Sequence, residues 1–284
     1  MLTVLEILKK TTEFFAGKGI GSPRLNAELL VGHALGLKRM QLYLQFERPL
    51  EERELELIRP LVRRRGRHEP LQYIVGETDF RGLSIKVDPR VLIPRPETEQ
   101  LVELAIQSLA TPPSAVLDLG TGSGAIALAL AQHFPSARVT ATDRDSSALA
   151  LARENAVRTG LDNRISFTEA NWFEGLAPAT FDLIISNPPY LSADELKLIP
   201  EEVRAFEPGH ALVAADNGLA DFVRIIAAAP PFLANDGLFV LETGEEQHER
   251  IFAELRAAGF ASMEGRQDLA GRSRFVVARR ESKS

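Results

Sequence analysis

The chain contains no cysteine among its 284 residues, which excludes disulfides and every metal site built on thiolate ligands. No metal is expected. It also lacks any uncharged apolar run near the roughly 20 residues that a membrane-spanning helix requires. Its first segment lacks the basic-then-apolar pattern of a secretory signal, because Glu6, Lys9 and Lys10 interrupt the apolar residues there. Together these absences lead to the expectation of a cytoplasmic chain with no membrane partner. Tryptophan is nearly absent too: Trp172 is the only one.

An excess of positive charge is missing as well, since the net charge is −6. The charge is unevenly spread. Residues 1–68 hold 13 Lys and Arg against 8 Asp and Glu, a net of +5, which leaves −11 for the rest of the chain. So acidic a half is poorly suited to a nucleic-acid backbone, whose attraction rests on neutralising phosphates. No direct nucleic-acid partner is therefore expected.

What is present falls into two grammars, and 284 residues suit two domains better than one core. Residues 1–70 read as helical. Leu5, Leu8, Thr12 and Phe15 recur near helical spacing, a second helix starts at Ser22 as N-cap with Pro23 in its first turn, and a third runs from Glu51 to about Gly66. The third ends in the basic run Arg63, Arg64, Arg65 and Arg67, which fits a solvated helix face or a patch for a protein partner. Residues 71–93 suggest a β-hairpin linker, with Gly82 at its turn, leading to the unusual string PRPETE at 94–99. Residues 94–284 alternate strands and helices: AVLDLG, GAIALALAQHF, RVTATD, SSALALARENAVRTG, ISFTEA, FDLIISNPPY, the helix NGLADFVRIIAAA and the strand GLFVLETG. Such alternation implies an α/β domain, a mostly parallel sheet covered by helices, with ligands at the carboxyl ends of the strands.

Four motifs sit at such ends. GTGSG, Gly120 to Gly124 with Thr121 and Ser123 between the glycines, follows one strand and opens a helix. Glycines there let backbone approach a ligand closely. A plain turn or a dinucleotide site would use similar residues, but the dinucleotide fingerprint G-x-G-x-x-G has a third glycine where this chain has Ala125. Asp143 ends the next strand and can accept both ribose hydroxyls of an adenosine; it or Asp145 can equally cap the following helix. Asn171 and Trp172 end the third strand. The amide can bond an adenine amino edge and the indole can cover the base, although a lone tryptophan also fills cores.

The fourth motif, Asn187, Pro188, Pro189 and Tyr190, follows the apolar strand FDLIIS. Two prolines remove two backbone donors and extend the chain. The Pro188 carbonyl and the Asn187 amide oxygen are then acceptors that can hold a planar NH2 group by its two hydrogens, with Tyr190 packed on its face. An amide or exocyclic amino nitrogen is a weak nucleophile because its lone pair is delocalised. Two acceptors on its hydrogens raise its electron density and turn the lone pair toward an electrophile, for which the sulfonium methyl of S-adenosylmethionine is the candidate. Holding the two reactants in line can supply about 7–11 kcal/mol of the barrier. No general base is needed, since methylation itself makes the nitrogen acidic.

With these residues in view, the chain resembles the HemK/PrmC family, the release-factor glutamine methyltransferases. The resemblance covers nearly the whole length and rests on SPRLNAELL at 22–30, EPLQYIVGETDF at 69–80, LIPRPETE at 92–99, VLDLGTGSGAIA at 116–127, NPPY, and EVRAFEPGHAL at 202–212. NPPY by itself also occurs in enzymes that methylate amino groups of nucleic-acid bases, the alternative activity. The resemblance implies a Rossmann-like methyltransferase domain behind a small helical N-terminal domain, and the net +5 of that N-terminal domain makes it the expected place for substrate recognition. It implies S-adenosylmethionine as donor, S-adenosylhomocysteine as product, and the glutamine of a Gly-Gly-Gln motif in peptide chain release factors as acceptor. By position, the Gly120–Gly124 loop, Asp143, Asn171, Trp172 and Asn187 would contact the donor, and Asn187 to Tyr190 the glutamine. Arg95 and Glu97 would lie near the methionine end of the donor. Many relatives carry Asp at the position of Asn171, and an Asn there still accepts from an amino group. A monomer is expected.

Overall fold

The computed structural model describes residues 2–280. The chain forms two compact units, Met1–Glu77 with Pro200–Phe206, and Thr78–Ile199 with Glu207–Ser284.

In the first unit, helix α1 (Val4–Gly17) opens on a reciprocal cap: the Thr3 hydroxyl accepts from the Glu6 amide, and the Glu6 carboxylate accepts from the Thr3 amide at 2.8 Å. Its buried stripe is Val4, Leu8, Thr11 and Phe15. The expected Leu5 and Thr12 lie one position around the helix, and the Thr12 hydroxyl instead donates to the Leu8 carbonyl at 2.7 Å. Helix α2 (Pro23–Leu35) has Ser22 at its N-cap, yet Ser22 sits in the left-handed region (φ 47°) and makes no side-chain cap. The Asn26 amide takes the Gly21 and Ser22 carbonyls instead. Two five-residue helices, α3 (Arg39–Tyr43) and α5 (Leu71–Val75), flank α4 (Glu52–Arg65); periodicity carries no signal over so few residues. Leu8, Phe15, Leu30, Leu42, Leu50 and Ile58 form the core of this unit.

The basic run at the end of α4 is not a uniform solvated face. Arg64 pairs with Glu69 at 2.5 Å. Arg65 is only 5% exposed, and a buried charge needs partners. Its guanidinium donates to Asn26 Oδ1 and to the Glu69 carbonyl, and pairs at 2.7 Å with Glu202. Glu202 lies in a short helix, Glu201–Phe206, that is α9 in chain order; this ion pair holds the distant segment in the first unit.

The second unit begins with a hairpin, β1 (Glu77–Phe80) and β2 (Leu83–Lys86). Its two-residue turn, Arg81 and Gly82, has φ of 51° and 78°, the signature of a type I′ turn. There follow α6 (Pro96–Ser108), β3 (Ala115–Leu119), α7 (Ala125–His133), β4 (Arg138–Asp143), α8 (Ser146–Thr159), β5 (Ile165–Glu169) and β6 (Phe181–Ser186). After α9 come α10 (Ala215–Gly218), α11 (Ala220–Ala228), β7 (Leu233–Glu242), α12 (His248–Ala257), β8 (Phe260–Gln267) and β9 (Ser273–Arg280). The seven-stranded sheet has the order β5-β4-β3-β6-β7-β9-β8. β3 to β7 are mutually parallel, and β9 runs antiparallel to both β7 and β8. Strand order reverses between β3 and β6, the switch point at which such sheets open a crevice.

The helix expected across 217–229 is broken. Asp216 and Asn217 take left-handed angles (φ 52° and 53°) inside α10, and the regular helix begins only at Ala220. Gly218 follows, where a Cβ would stand 2.1 Å from the Tyr190 carbonyl, so the backbone passes there only because no side chain exists. Strands β8 and β9 extend the sheet beyond the alternation; most of β8 is exposed and polar, and no apolar run marks it.

Phe239 on β7 is 1% exposed and stacks on Phe260 with ring centroids 5.4 Å apart. Phe239→Ala is expected to lower unfolding free energy by about 3–5 kcal/mol. Leu198→Ala, at a residue 85% exposed, should change it by less than about 0.5 kcal/mol. Urea unfolding of the two variants checks both values.

Candidate active site

The glycine loop leaves β3 and enters α7 with Gly120, Gly122 and Gly124 all at positive φ (71°, 54° and 83°), a region that costs an L side chain about 1–2 kcal/mol. It is pinned from below by Asp118, which is fully buried. One Asp118 oxygen accepts from the Thr121 hydroxyl at 2.6 Å and from the Ala127 amide at 3.1 Å. The other has no partner among the described residues. Burial pushes the Asp118 carboxyl up to about 7. A Cβ on Gly120 would meet the Trp172 ring at 3.2 Å, and one on Gly124 would meet the Ala152 Cβ at 3.2 Å. Gly124 therefore serves the packing of α8 and does not line the cleft, whereas Gly120, Thr121, Gly122 and Ser123 do.

At the end of β4, the Asp143 carboxylate accepts from the Gly122 amide at 2.9 Å through one oxygen and from the Asp145 amide at 3.0 Å through the other. Burial raises its pKa and these two amides oppose the rise. The helix cap falls to Asp145, which accepts from the Ser147 amide at 2.8 Å. Asp143 thus lines the cleft with both oxygens already oriented.

Asn171 and Trp172 follow β5 and both line the cleft. The Asn171 amide nitrogen donates to Glu174 at 3.1 Å, and its Oδ1 is enclosed with no partner among the described residues. Trp172 adopts φ 58° and donates from Nε1 to Asp221 at 3.0 Å. It packs on the core of the second unit while lining the cleft.

Asn187 and Pro189 line the cleft after β6, while Pro188 and Tyr190 do not; Pro188 is buried. Tyr190 lies under the Arg274 guanidinium, 5.5 Å from the ring centre, and its carbonyl accepts from Gln247 at 2.9 Å. Burial and the nearby Glu242 push its phenol up to about 12. The Asn187 amide nitrogen donates to the Thr98 hydroxyl at 3.1 Å. Arg95 and Glu97 separate. Arg95 lines the cleft and pairs at 2.5 Å with the buried Glu207, which also accepts from the Ile93 amide at 3.0 Å. Glu97 does not line it and pairs with Arg272 at 2.9 Å.

These side chains surround a cleft that is partly open to solvent, a concave site of the kind that takes small molecules. Thr98, Arg90, Arg144 and His210 also line it without having been singled out from the sequence. Thr98 and His210 lie inside the strings PRPETE and EPGHAL, but nothing in a string tells which of its members turn inward. Among the described residues, no group of three His, Asp or Glu is arranged to hold a metal ion.

Because Trp172 is the sole tryptophan, its emission reports on this cleft. Gly120→Ala is expected to shift that emission, since the new methyl would press on the ring. Gly160→Ala is the control: φ is also positive there (70°) but the space is open. It should cost about 1–2 kcal/mol in stability and leave the emission unchanged.

Residues 6–76 match the family model described as the PrmC N-terminal domain, and residues 98–205 match the methyltransferase small domain. A release factor glutamine methyltransferase of Chlorobaculum tepidum is 46% identical, over 94% of this chain and 93% of the relative. One of Geobacter sulfurreducens is 42% identical, over 98% and 96%. The crystal structure of a methyltransferase from Pyrococcus furiosus, 20% identical, shares the fold with a TM-score of 0.55 across 71% of this chain and 90% of that one. At such identity over nearly its full length, the chain belongs to the release factor glutamine methyltransferase family.

Proposed function

We propose that this protein transfers the methyl group of S-adenosylmethionine to the side-chain amide nitrogen of the glutamine in the Gly-Gly-Gln motif of peptide chain release factors. The observation that carries this is the commitment of the Asn187 amide nitrogen to Thr98. An Asn whose nitrogen is already used presents its Oδ1 as an acceptor, and that oxygen stands at the carboxyl end of β6 beside a cleft fit for a nucleoside.

The residues present suit the donor. Asp143, with one backbone amide on each oxygen, would hold the ribose hydroxyls. Asn171 would lie at the adenine edge with Trp172 on the base, and the Gly120–Ser123 backbone would lie along the amino-acid end. When bound, S-adenosylmethionine supplies an electrophilic methyl on a sulfonium and leaves as S-adenosylhomocysteine. The protein's part is to position. Asn187 Oδ1 would accept a hydrogen of the glutamine amide, which orients its nitrogen lone pair and raises its electron density; Pro188, expected from the sequence to supply a second acceptor, does not line the cleft. After transfer the nitrogen releases one proton to solvent, and no side chain is needed as a base.

Asp143→Ala is expected to weaken S-adenosylhomocysteine binding at least about tenfold, since a hydrogen bond to a charged group contributes roughly 1.5–3 kcal/mol. Unchanged affinity by calorimetry would remove Asp143 from the donor site.

The acceptor side calls for contacts outside the cleft, because an amide clamp takes any amide that reaches it and remote binding supplies selectivity. We assign them to the basic residues 1–70. With labelled donor, Asn187→Ala should lose about 10²-fold in single-turnover transfer to release factor and to a Gly-Gly-Gln peptide alike. Removing residues 1–70, in a truncation that still binds donor, should raise KM for intact release factor far more than for the peptide. Label that follows nuclease-sensitive material, or equal losses on both substrates in the truncation, would overturn the corresponding assignment.

A further inference from the structure

Behind Asn187 a line of polar groups runs into the interior. The Asn187 Nδ2 donates to Thr98 Oγ1 at 3.1 Å, and the Thr98 hydroxyl donates to Glu242 Oε2 at 2.8 Å. Thr98 is 5% exposed and Glu242 1%. Thr98 sits in the first turn of α6 and Glu242 at the end of β7, the strand that pairs with β6 through Ser186 and Leu241. The proposed chemistry uses neither residue. Both are buried polar groups without another evident task, and Glu242 carries a charge that is costly to bury without function or compensation.

The order of donors along this line has one consistent solution. A hydroxyl has a single hydrogen and a carboxylate has none. With Glu242 ionised, Thr98 must give its hydrogen to Glu242, so its lone pairs can only receive one. The Asn187 carboxamide therefore turns its NH2 toward Thr98 and its Oδ1 toward the cleft. The opposite rotamer would set Oδ1 against Oγ1 with no hydrogen between them. We propose that Thr98 and Glu242 are positioning residues that fix which end of the Asn187 carboxamide meets the acceptor amide. This rests on Asn187 acting as the amide clamp.

The polarity of the line can be reversed. A protonated Glu242 can donate to Thr98, whose hydrogen is then free to point at Asn187, and the carboxamide would turn its NH2 into the cleft against the hydrogens of the substrate. Burial pushes the Glu242 carboxyl up to about 7, with Thr98, Arg274 and Arg95 pulling it down and Glu97 adding to the rise. Tyr190, its other titratable neighbour, is pushed up to about 12 and stays neutral. The ionised, correctly ordered form therefore prevails above about pH 7 and is lost as pH falls through that value.

The test uses the full chain, S-adenosylmethionine and a Gly-Gly-Gln peptide, with steady-state rates measured from about pH 6 to about pH 9. Calorimetry with S-adenosylhomocysteine shows that each variant is folded. Thr98→Val should lower kcat about tenfold to a hundredfold, the cost typical of groups that orient a functional ligand from behind, in a protein that still binds donor. Thr98→Ser, which keeps the hydroxyl, should restore most of it. Glu242→Gln should abolish the acidic limb of the pH profile, because a carboxamide does not titrate. Full kcat in Thr98→Val overturns the proposal, as does an acidic limb that persists with the same midpoint in Glu242→Gln. Should Thr98→Val not fold, the Glu242→Gln profile decides. Asn187→Ala separates the two levels: if it retains turnover the clamp itself fails, and if it is inactive while Thr98→Val is not, only the line behind it fails.

Discussion

The cleft depends on one buried carboxylate. Asp118, under the glycine loop, binds the Thr121 hydroxyl and the Ala127 amide with a single oxygen. A loop with three glycines in five residues has little conformational preference of its own, and each glycine gives up more freedom on folding than any other residue. The two bonds from Asp118 close it between β3 and α7. The other oxygen stays unpartnered among the described residues, a cost of about 1–3 kcal/mol for a buried polar atom. Once the loop is closed, the Gly122 amide points at Asp143. The ends of two adjacent parallel strands are thereby tied, and the remaining cleft residues take their places around them.

A common feature joins the polar groups of this cleft: each is held by another part of the protein. Asp143 has two backbone amides, Asn171 is bound through Glu174, Trp172 through Asp221, Asn187 through Thr98, and Arg95 through Glu207. Groups fixed before a ligand arrives need no reorganisation when charge moves, and that is the main way a protein stabilises a polar transition state. Methyl transfer to an amide fits such a site well, because the chemistry asks for orientation more than for an acid or a base. The same loop also argues against a dinucleotide site. Ala125 stands where the dinucleotide fingerprint would place its third glycine.

The first unit shows how a charged string divides once folded. Of the run at 63–67, Arg64 is tied to Glu69, and Arg65 is buried with Asn26 and Glu202. Arg65 thus holds a segment far along the chain, a structural duty no composition reveals. With Arg64 and Arg65 set aside, residues 1–68 still hold 11 Lys and Arg against 8 Asp and Glu, a net of +3, and electrostatic complementarity of that kind speeds and orients encounter with an acidic surface.

Much of the second unit was legible in the sequence. Strand and helix differ in period, parallel strands read as apolar runs, and the motifs fell where β3, β4, β5 and β6 end because a chain leaving such a strand must turn at the rim of the sheet. The glycine loop, Asp143, Asn171, Trp172 and NPPY could be named because each is a local pattern of a few residues. The short helices α3 and α5 and the polar strand β8 lack any period to read. The kink at Asp216 and Asn217 has no period to announce it, and the Tyr190 carbonyl that Gly218 must clear is far off in sequence. What the sequence by itself determined is therefore the order of elements and the local motifs at the strand ends. Only the tertiary structure decided the partners behind them, Glu207 for Arg95 across 112 residues and Glu242 for Thr98 across 144. Side-chain hydrogen bonds follow from which strands become neighbours in the sheet, and local periodicity carries no information about that order.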